Sequence, residues 1–312
     1  MKQRNLGGSG LVTSVVGLGC NNFGWRADLP QTQAIIHKAL DVGITFFDTS
    51  DSYGPSEDFI GETLGPRRPD VVLATKFSSP LDQSGLRQGA SRRYIMMAVE
   101  SSLRRLKTDW IDLYQLHWPD PKTPIEETLR ALDDLIHQGK VRYIGCSNLS
   151  TAQLVEAAWT ARHFGLNQFI STQNEYSLLF RGIEQELLPT AERYQLGLLP
   201  YFPLASGLLT GKYRPNEPLP KDARLADAPA FFDPYRDPKK IVVASRLAEF
   251  ARSRGRTLVE LAMSWLTSRP SVSSIIAGAS RPEQVAQNAR AAEWVLSAEE
   301  LTEIDALTRS ND

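Results

Sequence analysis

Four polar side chains, Asp48, Tyr53, Lys76 and His117, stand at or just beyond the ends of short apolar runs, and their types make a proton-transfer set. Asp48 ends Ile44-Thr45-Phe46-Phe47, and Tyr53 follows in Thr49-Ser50-Asp51-Ser52-Tyr53-Gly54. Lys76 ends Val71-Val72-Leu73-Ala74-Thr75, and His117 ends Ile111-Asp112-Leu113-Tyr114-Gln115-Leu116. A lysine that terminates an apolar strand is costly to bury without a partner, so Asp48 is its natural counter-ion. A free phenol has a pKa of about 10. Beside an ammonium it is expected to be lowered, which makes Tyr53 a proton donor. Each residue also has a structural reading when taken singly: an ion pair for Asp48 and Lys76, a packed loop aromatic for Tyr53, a backbone hydrogen bond for His117. Delivery of complementary groups to one rim by adjacent strands favours the chemical reading.

The elements that must position these groups follow from periodicity. Apolar, β-rich runs recur at 12–18, 44–48, 71–76, 111–117, 141–146, 169–173, 197–201 and 272–277, which makes eight candidate strands. Helical spacing of apolar residues lies between most of them, at 31–42, 58–64, 92–106, 125–138, 152–163 and 183–194. Alternating strands and helices require a parallel sheet, and eight such units close into a barrel. The expected fold is therefore α/β, a (β/α)8 TIM barrel forming a single domain over residues 1–312. An N-terminal β-hairpin, marked by Gly7, Gly8 and Gly10, is expected to plug the barrel floor. Extra helices are expected near the C-terminus, at 241–254 and 258–267 before the last strand and at 283–292 and 298–307 after it. Residues 204–240, with Pro215, Pro218, Pro220, Pro229, Pro234 and Pro238, read as a long lid or binding loop.

Three segments now carry a resemblance. Phe47 to Gly54, Ala74-Thr75-Lys76 and Leu116-His117-Trp118-Pro119 resemble the signature segments of the aldo-keto reductase family, and the resemblance covers nearly the whole chain. It implies a catalytic tetrad: Tyr53 as general acid, Lys76 and Asp48 as its tuning pair, and His117 orienting and polarising a carbonyl. It also implies NADPH-dependent reduction of aldehydes or ketones by direct hydride transfer to the carbonyl carbon, with no metal.

Amide and hydroxyl groups at further strand ends suit a carboxamide, and by resemblance Ser147, Asn148 and Gln173 hold the nicotinamide amide while Tyr201 stacks on its ring. The segment Tyr201 to Tyr213 resembles the family's pyrophosphate-covering loop, including the form in channel-associated β subunits; it contributes Phe202, Pro203, Leu204, Ser206, Leu208 and Lys212, with Arg224 a weaker addition. Beyond the last strand, Gly278-Ala279-Ser280-Arg281 opens a helix that continues through Gln284, Gln287 and Asn288, with Ser280 placed as N-cap. A helix N-terminus with a free arginine is an anion site, and in the family this stretch binds the 2′-phosphate and adenine of NADP. Many members carry Lys-Ser at that strand end, so here Arg281 supplies the phosphate contact alone. The substrate pocket is expected to be walled by Trp25, Trp118, Phe231, Phe232 and Tyr235, suiting an apolar or aromatic carbonyl. A nicotinamide-binding, redox-sensing regulatory module is the alternative, and a hydrolase or lyase on the same fold stays open because fold does not fix function.

Bulk properties narrow the partners. Lys plus Arg total 35 against 36 Asp plus Glu, so no charge excess favours nucleic acid or an anionic membrane, and a small molecule is the expected partner. Cys20 and Cys146 both follow apolar runs and read as buried thiols rather than a disulfide. With no apolar signal segment and no run of about 18 apolar residues, the chain reads as cytoplasmic. His37, His137 and His163 fall on polar helix faces, and no His or Cys pair stands at metal-ligand spacing, so no metal site is expected. Gly17-Leu18-Gly19 imitates the start of a dinucleotide fingerprint but lacks its third glycine and its helix, which sets a Rossmann fold aside.

Overall fold

The alternation of apolar runs and helical spacing resolves into ten strands and ten α-helices across residues 1–220, 225 and 230–309, which the computed structural model describes. A hairpin of β1 (Gln3–Asn5) and β2 (Val12–Ser14) precedes β3 (Val16–Gly19), α1 (Leu29–Asp41), β4 (Phe46–Asp48), α2 (Ser56–Leu64), β5 (Val72–Phe77) and α3 (Arg92–Leu106). Next come β6 (Ile111–Leu116), α4 (Ile125–His137), β7 (Val141–Ser147), α5 (Thr151–Phe164), β8 (Ser171–Glu175), α6 (Leu187–Arg193) and β9 (Gly197–Tyr201). The chain finishes with α7 (Pro238–Ser253), α8 (Leu258–Thr267), β10 (Ile275–Gly278), α9 (Pro282–Ala291) and α10 (Ala298–Arg309). Capping boxes start α1, α5 and α8, from Asp28 with Gln31, Ser150 with Gln153 and Thr257 with Glu260.

Eight strands pair in parallel in the order β10, β3, β4, β5, β6, β7, β8, β9. The seam is closed just before β10, where Leu198 N donates to Ser271 O at 2.8 Å and Ser273 N to Leu198 O at 2.9 Å. The result is the (β/α)8 TIM barrel, with the N-terminal hairpin and the extra helices where the periodicity put them. Among the described residues no helix is long and apolar enough to cross a membrane.

Two elements differ from the sequence expectation. The run 12–18 is two strands, because the buried Ser14 Oγ accepts from Thr45 N at 3.0 Å and from Phe46 N at 3.3 Å and so replaces a ladder bond where the chain leaves the hairpin. The helix expected over 183–194 is a short 3₁₀ turn, Gly182–Glu184, and then α6 from Leu187. Pro189 lacks an N–H and is tolerated only in a first turn, so the helix begins just before it.

Because side chains alternate along a strand, each barrel strand sends every second residue inward. Leu6, Phe46, Ala74, Leu113, Leu199 and Ile276 form a separate buried apolar cluster inside the ring. Two residues further along the same inward faces come Asp48, Lys76, Gln115 and Tyr201. An apolar floor therefore supports a polar rim. Leu6, from the hairpin, is fully buried in that floor, and Gly7 (φ 58°) lets the turn press against the chain before β9, where an added Cβ would lie 2.5 Å from Gln195 O. Arg4 fastens the hairpin to the far end of the chain: its guanidinium donates to Thr267 O at 2.6 Å, Arg269 O at 3.1 Å and Val272 O at 2.7 Å.

Candidate active site

Lys76 is fully buried, and its ammonium donates to Asp48 Oδ2 at 2.6 Å and to Thr49 O at 2.8 Å. Asp48 Oδ1 accepts two further bonds, from Gln115 Nε2 at 3.0 Å and Gln173 Nε2 at 2.9 Å. Burial opposes the charge on Lys76, but the attraction of Asp48 and Tyr53 outweighs it, so the lysine is pushed up and stays an ammonium. Gln115 was not among the residues singled out from sequence. Its signal was there: a polar residue in an apolar strand, in phase with the inward Leu113. Gly145 of β7 makes room for it, since an added Cβ would stand 3.3 Å from Gln115 Cγ and 2.5 Å from Ser171 Oγ.

Tyr53 comes off the loop after β4 and lines the cleft, with the Lys76 ammonium 5.1 Å from its ring centroid. Burial pushes the phenol above its ordinary value and Lys76 pulls it down, and burial wins. This reverses the expectation of a lowered phenol. The ammonium is already partnered by Asp48, whose own charge opposes ionisation of Tyr53. Tyr53 therefore carries its proton throughout the neutral range, as an acid must before it donates.

His117 is pushed down to about 3 by burial and by the nearby Lys76 charge, so its imidazole is neutral. Its ring meets Tyr53 edge-on, with centroids 5.7 Å apart, and stacks on Trp118 at 5.8 Å. Nδ1 lies 3.2 Å from Ser50 Oγ and 3.1 Å from Ser79 Oγ. Ser78 holds this segment in place: its Oγ donates to Trp118 O at 3.1 Å and accepts from Trp118 N at 3.0 Å, from a backbone at φ 99°. Such left-handed conformations in a non-glycine residue cost about 1–3 kcal/mol and cluster at functional sites. Nothing in the local sequence marked Ser78 or Ser79, whose roles depend on where β5 ends relative to β6.

The cleft has a volume of about 640 Å³. Asp48, Tyr53 and His117 line it at one end, with Ser147, Asn148, Gln173 and Tyr201 beside them. Phe202, Pro203, Leu204, Ser206 and Lys212 continue one wall, and Gly278, Ser280, Arg281, Gln284, Gln287 and Asn288 form the far end. Arg26, Asn21, Asn22 and Thr210 also line it and were not anticipated. Phe202, Ala205 and Ser206 all have positive φ, at 51°, 45° and 54°, so this wall is a strained segment.

A nucleotide of the NAD(P) type fits these groups. Gln173 Nε2 is committed to Asp48, which leaves the Gln173 carbonyl oxygen for a carboxamide N–H. Asn148 is fixed by bonds from its Nδ2 to His117 O and Ser147 Oγ, and from Tyr201 Oη to its Oδ1 at 2.9 Å. Asn22 Oδ1 is buried without a partner, and α9 starts with no side-chain cap; Pro282 has no N–H and Gln284 N donates to Arg281 O at 3.1 Å, so Glu283 N is the first-turn donor left for an anion.

Several expectations are corrected. Leu208 is fully buried in the hydrophobic core and does not line the cleft; the strained turn at Ser206 and Gly207 rotates it inward. The N-cap of α9 is Arg281, not Ser280, because the Gln284 side chain accepts from Ser280 N at 2.8 Å and holds that residue outside the helix. Arg224 lies outside the described residues. Of the anticipated substrate walls, Trp118 lines the cleft, whereas Phe232 and Tyr235 are buried behind Phe202 and Trp25 is exposed beneath the Arg26 guanidinium. Cys20 and Cys146 are free and buried, with burial pushing the Cys146 thiol up to about 12. His37, His137 and His163 are exposed on their helices.

A model of the Aldo/keto reductase family matches residues 15–309. A "Probable voltage-gated potassium channel subunit beta" of Oryza sativa subsp. japonica is 36% identical, over 99% of this chain and 97% of its own length. An "L-glyceraldehyde 3-phosphate reductase" of Escherichia coli O157:H7 is 33% identical, over 98% of this chain and 92% of its own length. "Aldo-keto reductase YhdN" of Bacillus subtilis (strain 168) is also 33% identical, with coverage of 98% and 93%.

Proposed function

The chain belongs to the aldo/keto reductase family, and from that premise we propose that it reduces an aldehyde or ketone to the alcohol with NADPH, Tyr53 supplying the proton. The observation that carries this reading is the fully buried Lys76–Asp48 pair set behind a phenol that opens on the cleft. When bound, the reduced nicotinamide supplies a hydride. The residues do the rest. Tyr53 Oη holds a proton on a ring 5.1 Å from the Lys76 ammonium, so negative charge that develops on the substrate oxygen is met by an acid backed by a fixed cation. Neutral His117 orients the carbonyl without competing for that proton. Ser147, Asn148 and Gln173 hold the carboxamide, Tyr201 supplies a ring face, and Trp118 with Phe202 gives apolar walls that suit an apolar or aromatic carbonyl.

Arg281 is the residue proposed to choose NADPH over NADH. Arg281→Gln should raise the Kd for NADPH about 10–100-fold, in line with the ~1.5–3 kcal/mol of a hydrogen bond to a charged group. The Kd for NADH should hardly move. Fluorescence titration with both nucleotides reads the difference, and equal weakening of the two would remove Arg281 from the 2′-phosphate site.

The relative named as a potassium channel subunit beta supports a second reading, a nicotinamide-binding regulatory module that senses redox state. NADPH oxidation with a panel of aldehydes separates the two. Steady multiple turnover is expected for the enzyme; one slow turnover per chain would favour the sensor.

A further inference from the structure

Behind His117 lies a buried acid that the reaction as described does not use. Asp51 is 7% exposed, on the loop after β4. Its Oδ2 accepts from Tyr94 Oη of α3 at 3.0 Å, and its Oδ1 accepts from Ser50 Oγ at 3.4 Å. The same Ser50 Oγ lies 3.2 Å from His117 Nδ1. Asp51, Ser50 and His117 thus form a line that ends on an imidazole in the cleft wall.

A serine hydroxyl has one proton to give. Ser52 Oγ stands 2.9 Å from Ser50 Oγ and Ser52 N donates to it at 3.3 Å; if the Ser50 proton goes to ionised Asp51 rather than to Ser52, Ser50 faces His117 as an acceptor and favours the tautomer with its proton on Nδ1. The other ring nitrogen is then bare and has nothing to donate to a carbonyl oxygen. If Asp51 is protonated it donates to Ser50, Ser50 donates to Nδ1, and the ring proton sits on Nε2. We propose that Asp51 is a positioning residue that sets the tautomer of His117 through Ser50, so that His117 polarises a carbonyl only while Asp51 is in its acid form. The protons balance. One is taken up from solvent at Nε2, the Nδ1 proton passes to Ser50 Oγ, and the Ser50 proton passes to Asp51 Oδ1, which leaves the ring neutral.

The surroundings of Asp51 favour such a change near neutrality. Glu57 of α2 is 1% exposed and repels a charge on Asp51. Arg105 of α3 attracts that charge, but its guanidinium is paired with Glu57 at 2.6 Å. The β5 ammonium, Lys76, is engaged by Asp48. Tyr94 and Tyr114, from α3 and β6, are phenols pushed above their ordinary value by burial and by the Asp51 charge; Arg87 acts on Tyr94 in the opposite sense. Burial first, and Glu57 second, push Asp51 up to about 7.

The proposal rests on reading His117 as the group that meets the carbonyl, so the test pairs a readout of the ring with one of the reaction. The full chain is labelled with ¹⁵N-histidine, and Nδ1 and Nε2 shifts of His117 are followed from about pH 5.5 to about pH 9, a range that brackets the unperturbed histidine value of about 6.5. His117→Gln identifies the signal. The wild type should pass from an Nε2–H to an Nδ1–H tautomer with a midpoint near 7. Asp51→Asn and Ser50→Ala should each abolish that transition, and either one suffices if the other fails to fold. Ser79→Ala, which removes the other hydroxyl near Nδ1, should keep it. In parallel, kcat/KM for an aldehyde should fall about tenfold per pH unit above the midpoint, and Asp51→Asn should lose that limb. A tautomer that does not change with pH in the wild type, or one that changes identically in Asp51→Asn and Ser50→Ala, overturns the proposal. If the shifts move as expected but no aldehyde is turned over, the linkage stands and the reductase reading fails.

Discussion

Tyr53→Phe is expected to lower aldehyde turnover by about 10³-fold, within the ~10²–10⁴ contribution of a positioned general acid, while NADPH binds with unchanged Kd. The substitution removes one oxygen and keeps the ring that packs against His117, so the wall of the cleft is preserved. What is lost is the phenolic proton of a ring that lies 5.1 Å from the Lys76 ammonium. KM should change little, because the loss is confined to the step in which charge builds on the substrate oxygen. Stopped-flow measurement of the first turnover, together with a nucleotide titration, checks both halves. Undiminished turnover would remove Tyr53 as the donor, and lost nucleotide binding would point to a structural role instead.

Lys76→Met should have the second large effect, on both stability and turnover. Removing one partner of a buried ion pair costs about 3–5 kcal/mol, because the other charge is left without compensation. Here that charge is Asp48, 2% exposed and then held only by the amides of Gln115 and Gln173. For a chain of this size Tm is expected to fall by about 10 °C. Adding Asp48→Asn should restore much of the stability, since the uncompensated charge is gone, and should restore no turnover, since the ammonium behind Tyr53 is still missing. Calorimetry and NADPH oxidation on the single and double variants read the two effects apart. A double variant that regained activity would show that the pair serves only folding.

How far the sequence carried the fold depends on period. Barrel strands buried on both faces read as short apolar runs, and helices as spaced ones, so the element order was legible throughout. It failed where a side chain took over a backbone role, as at Ser14, or where a proline delayed a helix, as at Pro189. The four residues of the candidate site were legible because each ends or follows a strand. Their supports were less so. Gln115 carries its signal only once the inward phase of β6 is known, and Ser79 reaches His117 only through the placement of two loops. The direction of the Tyr53 shift was misjudged for a physical reason: a charge that is already neutralised exerts less pull than burial does. Leu208 shows the same limit in the backbone, since a run of left-handed residues reversed the side expected of it.

The grip of Arg4 on Thr267, Arg269 and Val272 bridges residues separated by more than 260 positions. Loop-closure entropy must be met before so distant a contact is rewarded, which places the event late in folding. The stretch between α8 and β10, which seals the seam with β9, is thus tied to the first hairpin. Because β10 runs straight into Gly278, Ser280 and Arg281, the far end of the cleft takes shape only at that final step. A nascent chain would therefore have its acid-bearing rim partly assembled well before it had a complete seat for a nucleotide.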